Sequence, residues 1–135
     1  MDEVIPLNEE YVYEDGVMIC QVSKDRVITF VNRKFCEVSG YSIDELIGSS
    51  KDMILHPEIP DFLLLKMFEI LESGRAWNGL VKNLRKDGLF YWEDTEVLPI
   101  YDDDNELTGF ISAGKSASRK NIQENEELYK KVLQR

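Results

Sequence analysis

The sequence of 135 residues is poor in the residue types that catalytic and metal sites need. It has one histidine, His56, and two cysteines, Cys20 and Cys36, which lack the CxxC spacing of metal sites. We therefore expect buried, reduced thiols, which are typical of a cytoplasmic protein. The sequence shows no Ser-His-Asp set, no phosphate loop and no obvious acid and base pair, so we expect no enzymatic activity.

Basic residues are outnumbered, and long apolar runs are missing. Sixteen Lys and Arg stand against 26 Asp and Glu, which gives a net charge of −10 at pH 7. Nucleic acids and anionic membrane surfaces attract clustered basic residues, so neither is an expected partner. No apolar run approaches the about 20 residues of a membrane-spanning helix, and the first residues do not resemble a signal peptide. We expect a soluble cytoplasmic chain without membrane contact.

The residues that are present predict one domain between two terminal segments. A hydrophobic content of 43% is enough for a sizeable core. We expect an N-terminal arm or short helix at 1–15, a domain at 16–117 and a connector helix at 118–135. Apolar patterns with a period of two predict strands at 17–22, 26–31, 77–85, 89–100 and 107–116. Helical patterns begin at Asn32, at Ser42 and after Pro60. This order predicts an α+β fold, in which helices cover one face of an antiparallel sheet and can enclose a pocket.

The last segment has a narrow apolar stripe. Ile122, Asn125, Tyr129 and Val132 follow three-four spacing among charged neighbours. Because the stripe is too narrow for a core helix, we expect the helix to leave the domain. It would support a parallel homodimer or lead to an output domain.

Several stretches of the sequence resemble one known family. They are FVNRKFCEVSGYSIDELIG, HPEIP, WNGLVKNLRKDGLFYWEDTEVLPI and GFISA, within residues 17–116. Together they resemble a PAS sensor domain, and the pattern that begins at HPEIP is most similar to the FAD-binding PAS domains of bacterial aerotaxis receptors. The resemblance implies a five-stranded antiparallel sheet with flanking helices and noncovalent FAD between them. It also implies redox or oxygen sensing for a chemotaxis receptor or another signalling output.

This sequence departs from the patterns of its relatives at positions that bear on the mechanism. Light-sensing PAS domains carry a reactive cysteine in a GxNCRFLQ segment, whereas this chain reads GSSKDMILH, with Lys51 at that position. A cysteinyl photoadduct is therefore not expected. The aerotaxis pattern typically has an arginine before its histidine, and Leu55 stands there in this chain.

Asn83 is the first candidate for contact with the flavin. It shares one face of its predicted strand with Trp77, Gly79 and Val81, and that face is mostly apolar. A buried amide without a partner costs about 1–3 kcal/mol, so we expect Asn83 to have a partner. An amide supplies both a donor and an acceptor, which suits the uracil-like edge of a flavin, and the resemblance implies this contact. A bond to neighbouring backbone is the alternative.

Glu93 is a second polar candidate, and its position depends on strand register. A two-residue Asp-Gly loop would set Trp92 opposite Asn83, while we expect a three-residue loop with a left-handed Gly88 to set Glu93 there. Light-sensing relatives favour the second register and carry Asn where this chain has Glu93. Glu93 would then lie near the ring, partly protonated. The alternative, which is slightly favoured, is a solvated carboxylate on the outer face of the sheet.

His56 has three possible roles. It matches the histidine of the family's HP motif, so the resemblance implies contact with FAD. Axial ligation of haem is a second role, since imidazole is a common haem ligand. The third is a polar residue that opens the helix with the help of Pro57.

Other candidates for cofactor contact are aromatic or flank the helix. The resemblance associates Phe68 and Trp77 with the cofactor pocket, and Pro60 and Tyr91 are further candidates. A PAS module that only dimerises, with its pocket filled by leucine side chains, is the remaining alternative.

Overall fold

The computed structural model describes the backbone of residues 3–133 and the side chains up to residue 131. It contains one antiparallel sheet with the strand order β2-β1-β5-β4-β3. The strands are β1 (Met18–Ser23), β2 (Ile28–Val31), β3 (Trp77–Leu84), β4 (Phe90–Tyr101) and β5 (Leu107–Ser116). The predicted α+β fold with a five-stranded sheet is confirmed.

The helices between β2 and β3 begin where local capping signals predict. They are α1 (Arg33–Ser39), α2 (Ile43–Leu46), a 3₁₀ turn (Lys51–Met53) and α3 (Asp61–Glu72). The Asn32 side chain accepts a hydrogen bond from the Phe35 N–H at the start of α1, and Gly40 ends this helix with φ 80°. Ser42 and Glu45 form a reciprocal capping box at the start of α2.

Alternation along β4 separates an inner from an outer face of the sheet. Tyr91, Glu93, Thr95 and Val97 point inward and are buried, whereas Glu96 points outward and is exposed. The four helical segments between β2 and β3 cover the inner face, so its core and any internal site lie beneath them.

The loop between β3 and β4 fixes the register of the inner face. It has the predicted three residues, 86–88, and Gly88 has a left-handed φ of 94°. The Arg85 N–H donates to the Leu89 carbonyl at 2.8 Å and closes the hairpin. Counting back from this closing pair places Tyr91 opposite Asn83 and Glu93 opposite Val81. The prediction that Glu93 lies directly opposite Asn83 is therefore wrong. Glu93 belongs to the next inward-facing pair along the two strands.

The N-terminal arm is extended. The Tyr11 N–H donates to the Phe90 carbonyl at 2.7 Å, and the Phe90 N–H donates to the Glu9 carbonyl at 3.0 Å. The arm thus lies beside the first residues of β4, a stretch that β5 does not reach. Tyr13 is buried, and its hydroxyl donates to the Trp92 carbonyl at 3.1 Å. Residues 1 and 2 of the predicted arm lie outside the described residues.

The C-terminal helix, α4 (Arg119–Leu133), folds back onto the outer face of the sheet. Ile122 and Tyr129 are buried, and the Tyr129 ring lies 5.9 Å from the Trp92 ring. The Tyr129 hydroxyl donates to the Leu80 carbonyl at 3.5 Å. The connector is helical as predicted. It packs on its own domain because Ile122 and Tyr129 join the buried apolar cluster that includes Trp92 and Leu80. The side chain of Val132 lies outside the described residues.

Two smaller expectations concern cysteines and membranes. Both Cys20 and Cys36 are free, Cys20 is buried, and burial raises the pKa of both thiols. Within residues 3–133, none of the helices combines the length and the apolar character that crossing a membrane requires.

Candidate functional site

A cavity of about 90 Å³ lies between the inner face of the sheet and α3. The sheet contributes four polar side chains, which form a polar wall, together with apolar ones. α3 forms an apolar wall, and two cationic residues also line the cavity. The polar wall comprises Asn83, Glu93, Thr95 and Ser112, the apolar wall comprises Leu64, Met67, Phe68 and Leu71, and the cations are Arg26 and Lys51. The sequence predicts three of these residues as site residues: Phe68, Asn83 and Glu93.

The polar wall is organised around a bond between Asn83 and Glu93. Asn83 Nδ2 donates to Glu93 Oε1 at 3.0 Å, and the two residues are 4% and 3% exposed. They occupy neighbouring pairs on β3 and β4, so the bond runs diagonally across the inner face. Asn83 Oδ1 accepts no hydrogen bond from the described residues. Both residues line the cavity.

Burial has the largest effect on the pKa of Glu93. It raises the pKa of the carboxyl group, with a smaller contribution from Asp94, while Lys51, Thr95 and Asn83 act in the opposite direction. Glu93 belongs to none of the ion pairs formed within residues 3–133. The neutral form is therefore favoured more than in water. The predicted alternative of a solvated carboxylate on the outer face is wrong, because β4 turns Glu93 inward.

Gly114 on β5 makes room for the Glu93 side chain. The carboxylate lies over the Gly114 Cα, and a Cβ at that position would overlap its oxygen and carbon atoms. A glycine within a strand often marks such a close approach. The sequence analysis missed Gly114, although its place in β5, in register with the inward-facing Thr95, is a usable signal.

Two cations line the cavity beside Phe68 and Phe35. The Arg26 guanidinium lies 5.0 Å from the centre of the Phe68 ring and also pairs with Asp52. Lys51 Nζ lies 5.6 Å from the centre of the Phe35 ring. Arg26 is one of two non-glycine residues with positive φ in the described chain, at 67°. It also lines an outer groove that adjoins the cavity at Phe68.

Comparison with known sequences identifies the family. A sequence profile described as "PAS domain" matches residues 14–117, most of the chain. The chain belongs to the PAS domain family. This PAS domain is similar to the aerotaxis receptor of Escherichia coli (strain K12), with 32% identity over 117 residues that cover 87% of this chain. The matched part is 23% of the receptor, so this chain spans less than a quarter of that relative's length.

Solved structures show the same fold. The PAS domain of a Colwellia psychrerythraea protein superposes with a TM-score of 0.71 at 21% identity, covering 76% of this chain and 87% of that one. A light-oxygen-voltage domain studied with a flavin analogue superposes with a TM-score of 0.68 at 23% identity. That match covers 82% of this chain and 85% of the other. The resemblance to PAS domains is confirmed.

His56 of the PAS domain lies outside the cavity lining. Residues 54–56 run along the free edge of β3, where Leu55 pairs with Asn83 and shares its inward face. His56 therefore faces the outer side, with its ring 6.3 Å from the Phe90 ring. Its Nδ1 accepts from the Glu58 N–H at 3.1 Å, and burial, aided by Lys82, lowers its pKa. His56 thus closes a turn ahead of α3 and does not cap the helix, which begins at Asp61 without a side-chain cap. Its contact with a cofactor stays a prediction.

Of the four other predicted site residues, one lines the cavity and three do not. Phe68 lines it, and its ring lies 5.5 Å from that of Phe110. Trp77, Tyr91 and Pro60 are buried but lie outside the lining. The Trp77 ring covers Gly79, the Tyr91 ring packs edge-on to Tyr13 at 6.1 Å, and Pro60 precedes α3. Their contact with a cofactor stays a prediction.

Within the described residues, no group of three or more His, Cys, Asp and Glu could hold a metal ion. PAS sensor domains are typically signalling modules without catalytic activity, and the cavity of this one presents hydrogen-bonding and apolar groups. Its chemistry suits recognition of a ligand.

Proposed function

We propose that this PAS domain binds a flavin, FAD, noncovalently between α3 and the inner face of the sheet. The proposed role is to report redox state or oxygen to a signalling output in the cytoplasm. The observation that carries the proposal is the buried Asn83–Glu93 pair, because both residues line the cavity and Asn83 Oδ1 accepts no hydrogen bond from the described residues. A bound flavin supplies reversible electron transfer.

The donor set of the cavity fits the edge of a flavin ring. That edge carries an N–H between two carbonyl groups. Asn83 Oδ1 can accept from the N–H, and Glu93 can donate to a carbonyl when its carboxyl group is protonated. The apolar residues of α3, Phe68 among them, can cover one face of the ring. Similarity to an aerotaxis receptor, and to a light-oxygen-voltage domain studied with a flavin analogue, supports the same ligand class.

The present volume requires α3 to move when a flavin binds. Ligand sites measure about 300–1,000 Å³, whereas this cavity measures about 90 Å³. The side chains that must move belong to α3. Phe62 and Leu65 on the outer side of α3 are 49% and 72% exposed, and its N-terminus has no side-chain cap, so few contacts oppose an outward shift. We propose that α3 shifts outward on binding.

Arg26 is proposed to contact the phosphates of FAD. Leu55 stands where the aerotaxis pattern has an arginine, so the phosphate groups need another cation. Arg26 reaches both the cavity and the groove outside it. Its planar guanidinium can bind phosphate oxygens in pairs.

The proposed route for the signal runs from the sheet to α4. β5 ends at Ser116 and α4 begins at Arg119, which forms a bidentate ion pair with Glu10 of the arm at 2.6 and 3.0 Å. A change at Asn83 or Glu93 can therefore reach both terminal segments through β4 and β5. We propose that α4 then acts on a second copy of the chain or on an output domain such as a chemotaxis receptor. Sedimentation with and without residues 118–135 tests the homodimer.

Extraction of the bound chromophore tests the ligand. Purified protein, expressed with riboflavin in the medium, is heated, and the released compound is separated by chromatography against FAD, FMN and riboflavin standards. We expect FAD in a ratio near one per chain. Recovery of haem would favour the His56 alternative, and colourless protein that binds no added flavin would favour the cofactor-free module.

A further inference from the structure

Glu93 presents a titratable group directly to the cavity. The residue is 3% exposed, and its carboxyl group accepts from Asn83 through one oxygen and lies over Gly114. Among the four residues of the polar wall, Glu93 is the one whose side chain can carry a charge. A carboxyl group in the polar wall therefore gives this site a property that an amide does not have.

The two protonation states of Glu93 offer opposite hydrogen-bonding patterns. The neutral acid accepts from Asn83 through its carbonyl oxygen and has a hydroxyl that donates. The carboxylate can only accept. Glu93 therefore offers a donor beside the acceptor Asn83 Oδ1 in the first state, and only acceptor oxygens in the second.

The surroundings of Glu93 are mostly apolar or acidic. Asp94 and Tyr91 are on its own strand, Cys20 faces it from β1, and Tyr13 approaches from the arm. Lys51, from the 3₁₀ turn, is the cation that acts on it, and Arg26 at the cavity rim is paired with Asp52. The α3 residues that line the cavity are all apolar, namely Leu64, Met67, Phe68 and Leu71. Burial among these groups raises the pKa of Glu93 and so favours its neutral form more than water does.

We propose that protonated Glu93 determines ligand specificity, by donating to a ligand carbonyl while Asn83 Oδ1 accepts from the adjacent ligand N–H. The site then takes flat ligands with an imide edge, and binds them only when Glu93 carries its proton. This inference rests on the proposed function in that a flavin is such a ligand.

Proton linkage gives the expected pH dependence. Below the pKa of Glu93 the carboxyl group is already neutral, so affinity is constant. Above it, each ligand must bind together with one proton, and the affinity falls by about tenfold per pH unit. A glutamine at this position keeps a permanent N–H donor, so its affinity does not change with pH.

Riboflavin is the probe, because it has the imide edge without phosphate groups that titrate or contact Arg26. Its affinity is measured by fluorescence titration across pH for the wild type, for Glu93→Gln and for the control Glu96→Gln, which removes an exposed carboxylate from the same strand. We expect the wild type and Glu96→Gln to lose affinity as pH rises, and Glu93→Gln to bind equally well throughout. Calorimetry in buffers of different ionisation enthalpy should count one proton taken up by the wild type above the Glu93 pKa.

The outcomes separate this inference from the proposed function. Riboflavin binding whose pH dependence is the same in Glu93→Gln and the wild type overturns the inference alone. Absence of binding to either protein at every pH overturns both. If Glu93→Gln does not fold, Glu93→Asn serves as the second neutral amide. Carboxyl ¹³C NMR of the ligand-free wild type gives an independent readout: titration of Glu93 at the ordinary glutamate pKa would also overturn the inference.

Discussion

Asn83 and Glu93 bond to each other diagonally across β3 and β4, with 3.0 Å between Nδ2 and Oε1. The pair joins a neutral amide to a carboxyl group at the wall of a cavity, where the structure supplies no ion-pair partner among its described residues. A buried polar pair of this kind costs stability unless its remaining groups are used.

Glu93→Gln should change how the stability of the ligand-free domain depends on pH. Burial raises the pKa of Glu93 in the folded protein, so the folded chain binds more protons than the unfolded chain between the unfolded and folded pKa values. The stability that this group contributes is present below the unfolded pKa and is lost as pH rises through the folded pKa, by at most about 1.4 kcal/mol per pH unit. Glu93→Gln lacks this loss and should gain relative to the wild type as pH rises.

Urea unfolding at a series of pH values measures this gain, with the exposed Glu96→Gln as control. The Glu96→Gln curve should run parallel to that of the wild type. A constant difference between Glu93→Gln and the wild type at all pH values would show that Glu93 ionises equally in both states.

Arg26→Gln should weaken binding of phosphate-bearing flavins selectively. A charge-assisted hydrogen bond contributes about 1.5–3 kcal/mol, and the pairing of Arg26 with Asp52 offsets part of this. We expect FAD and FMN to bind roughly tenfold more weakly and riboflavin to bind unchanged. Arg75→Gln, at an exposed arginine before β3, is the matched control. Equal losses for riboflavin and FAD would remove Arg26 from the phosphate site.

Tyr129→Ala should release α4 from the outer face. The ring is 7% exposed and contacts Trp92, and its removal from such a site costs about 3–5 kcal/mol. Hydrogen exchange of residues 119–131 should become fast, while β4 and β5 stay protected. Leu128→Ala, at a neighbouring residue that is 53% exposed, should leave exchange nearly unchanged. Slow exchange in Tyr129→Ala would mean that other contacts hold the helix.

Reduction of the flavin-loaded protein should alter protease sensitivity around residues 114–124. This segment joins the end of β5 to α4, and Glu93 pairs with Ser116 at its start. Limited proteolysis of oxidised and reduced protein, each followed by mass spectrometry, locates the change. Identical cleavage in both states would argue against a route through β5.

Local sequence signals predicted the elements of the fold well. Asn32 and Ser42 mark helix starts because a capping side chain bonds to backbone two or three residues away. The three-residue loop with Gly88 is equally local. Such features depend on few neighbours, so the sequence alone specifies them.

Features that depend on distant contacts were harder to predict. The inward position of Glu93 needs both the closing pair of the hairpin and the absence of a side chain at Gly114. The packing of α4 on the sheet depends on the contact between the Tyr129 and Trp92 rings. His56 faces away from the cavity because Leu55 takes the inward position beside Asn83. Each of these outcomes is set by tertiary packing rather than by periodicity.

Binding of riboflavin to Asn83→Leu tests the central claim, that a flavin lies against the Asn83–Glu93 wall. The substitution keeps a similar volume and removes the amide that faces the cavity, while Asn78→Leu makes the same change at an exposed position of β3. Below the pKa of Glu93, we expect Asn83→Leu to bind at least about tenfold more weakly than the wild type, and Asn78→Leu to bind normally. Equal affinity of Asn83→Leu and the wild type, with both proteins folded, would contradict the account.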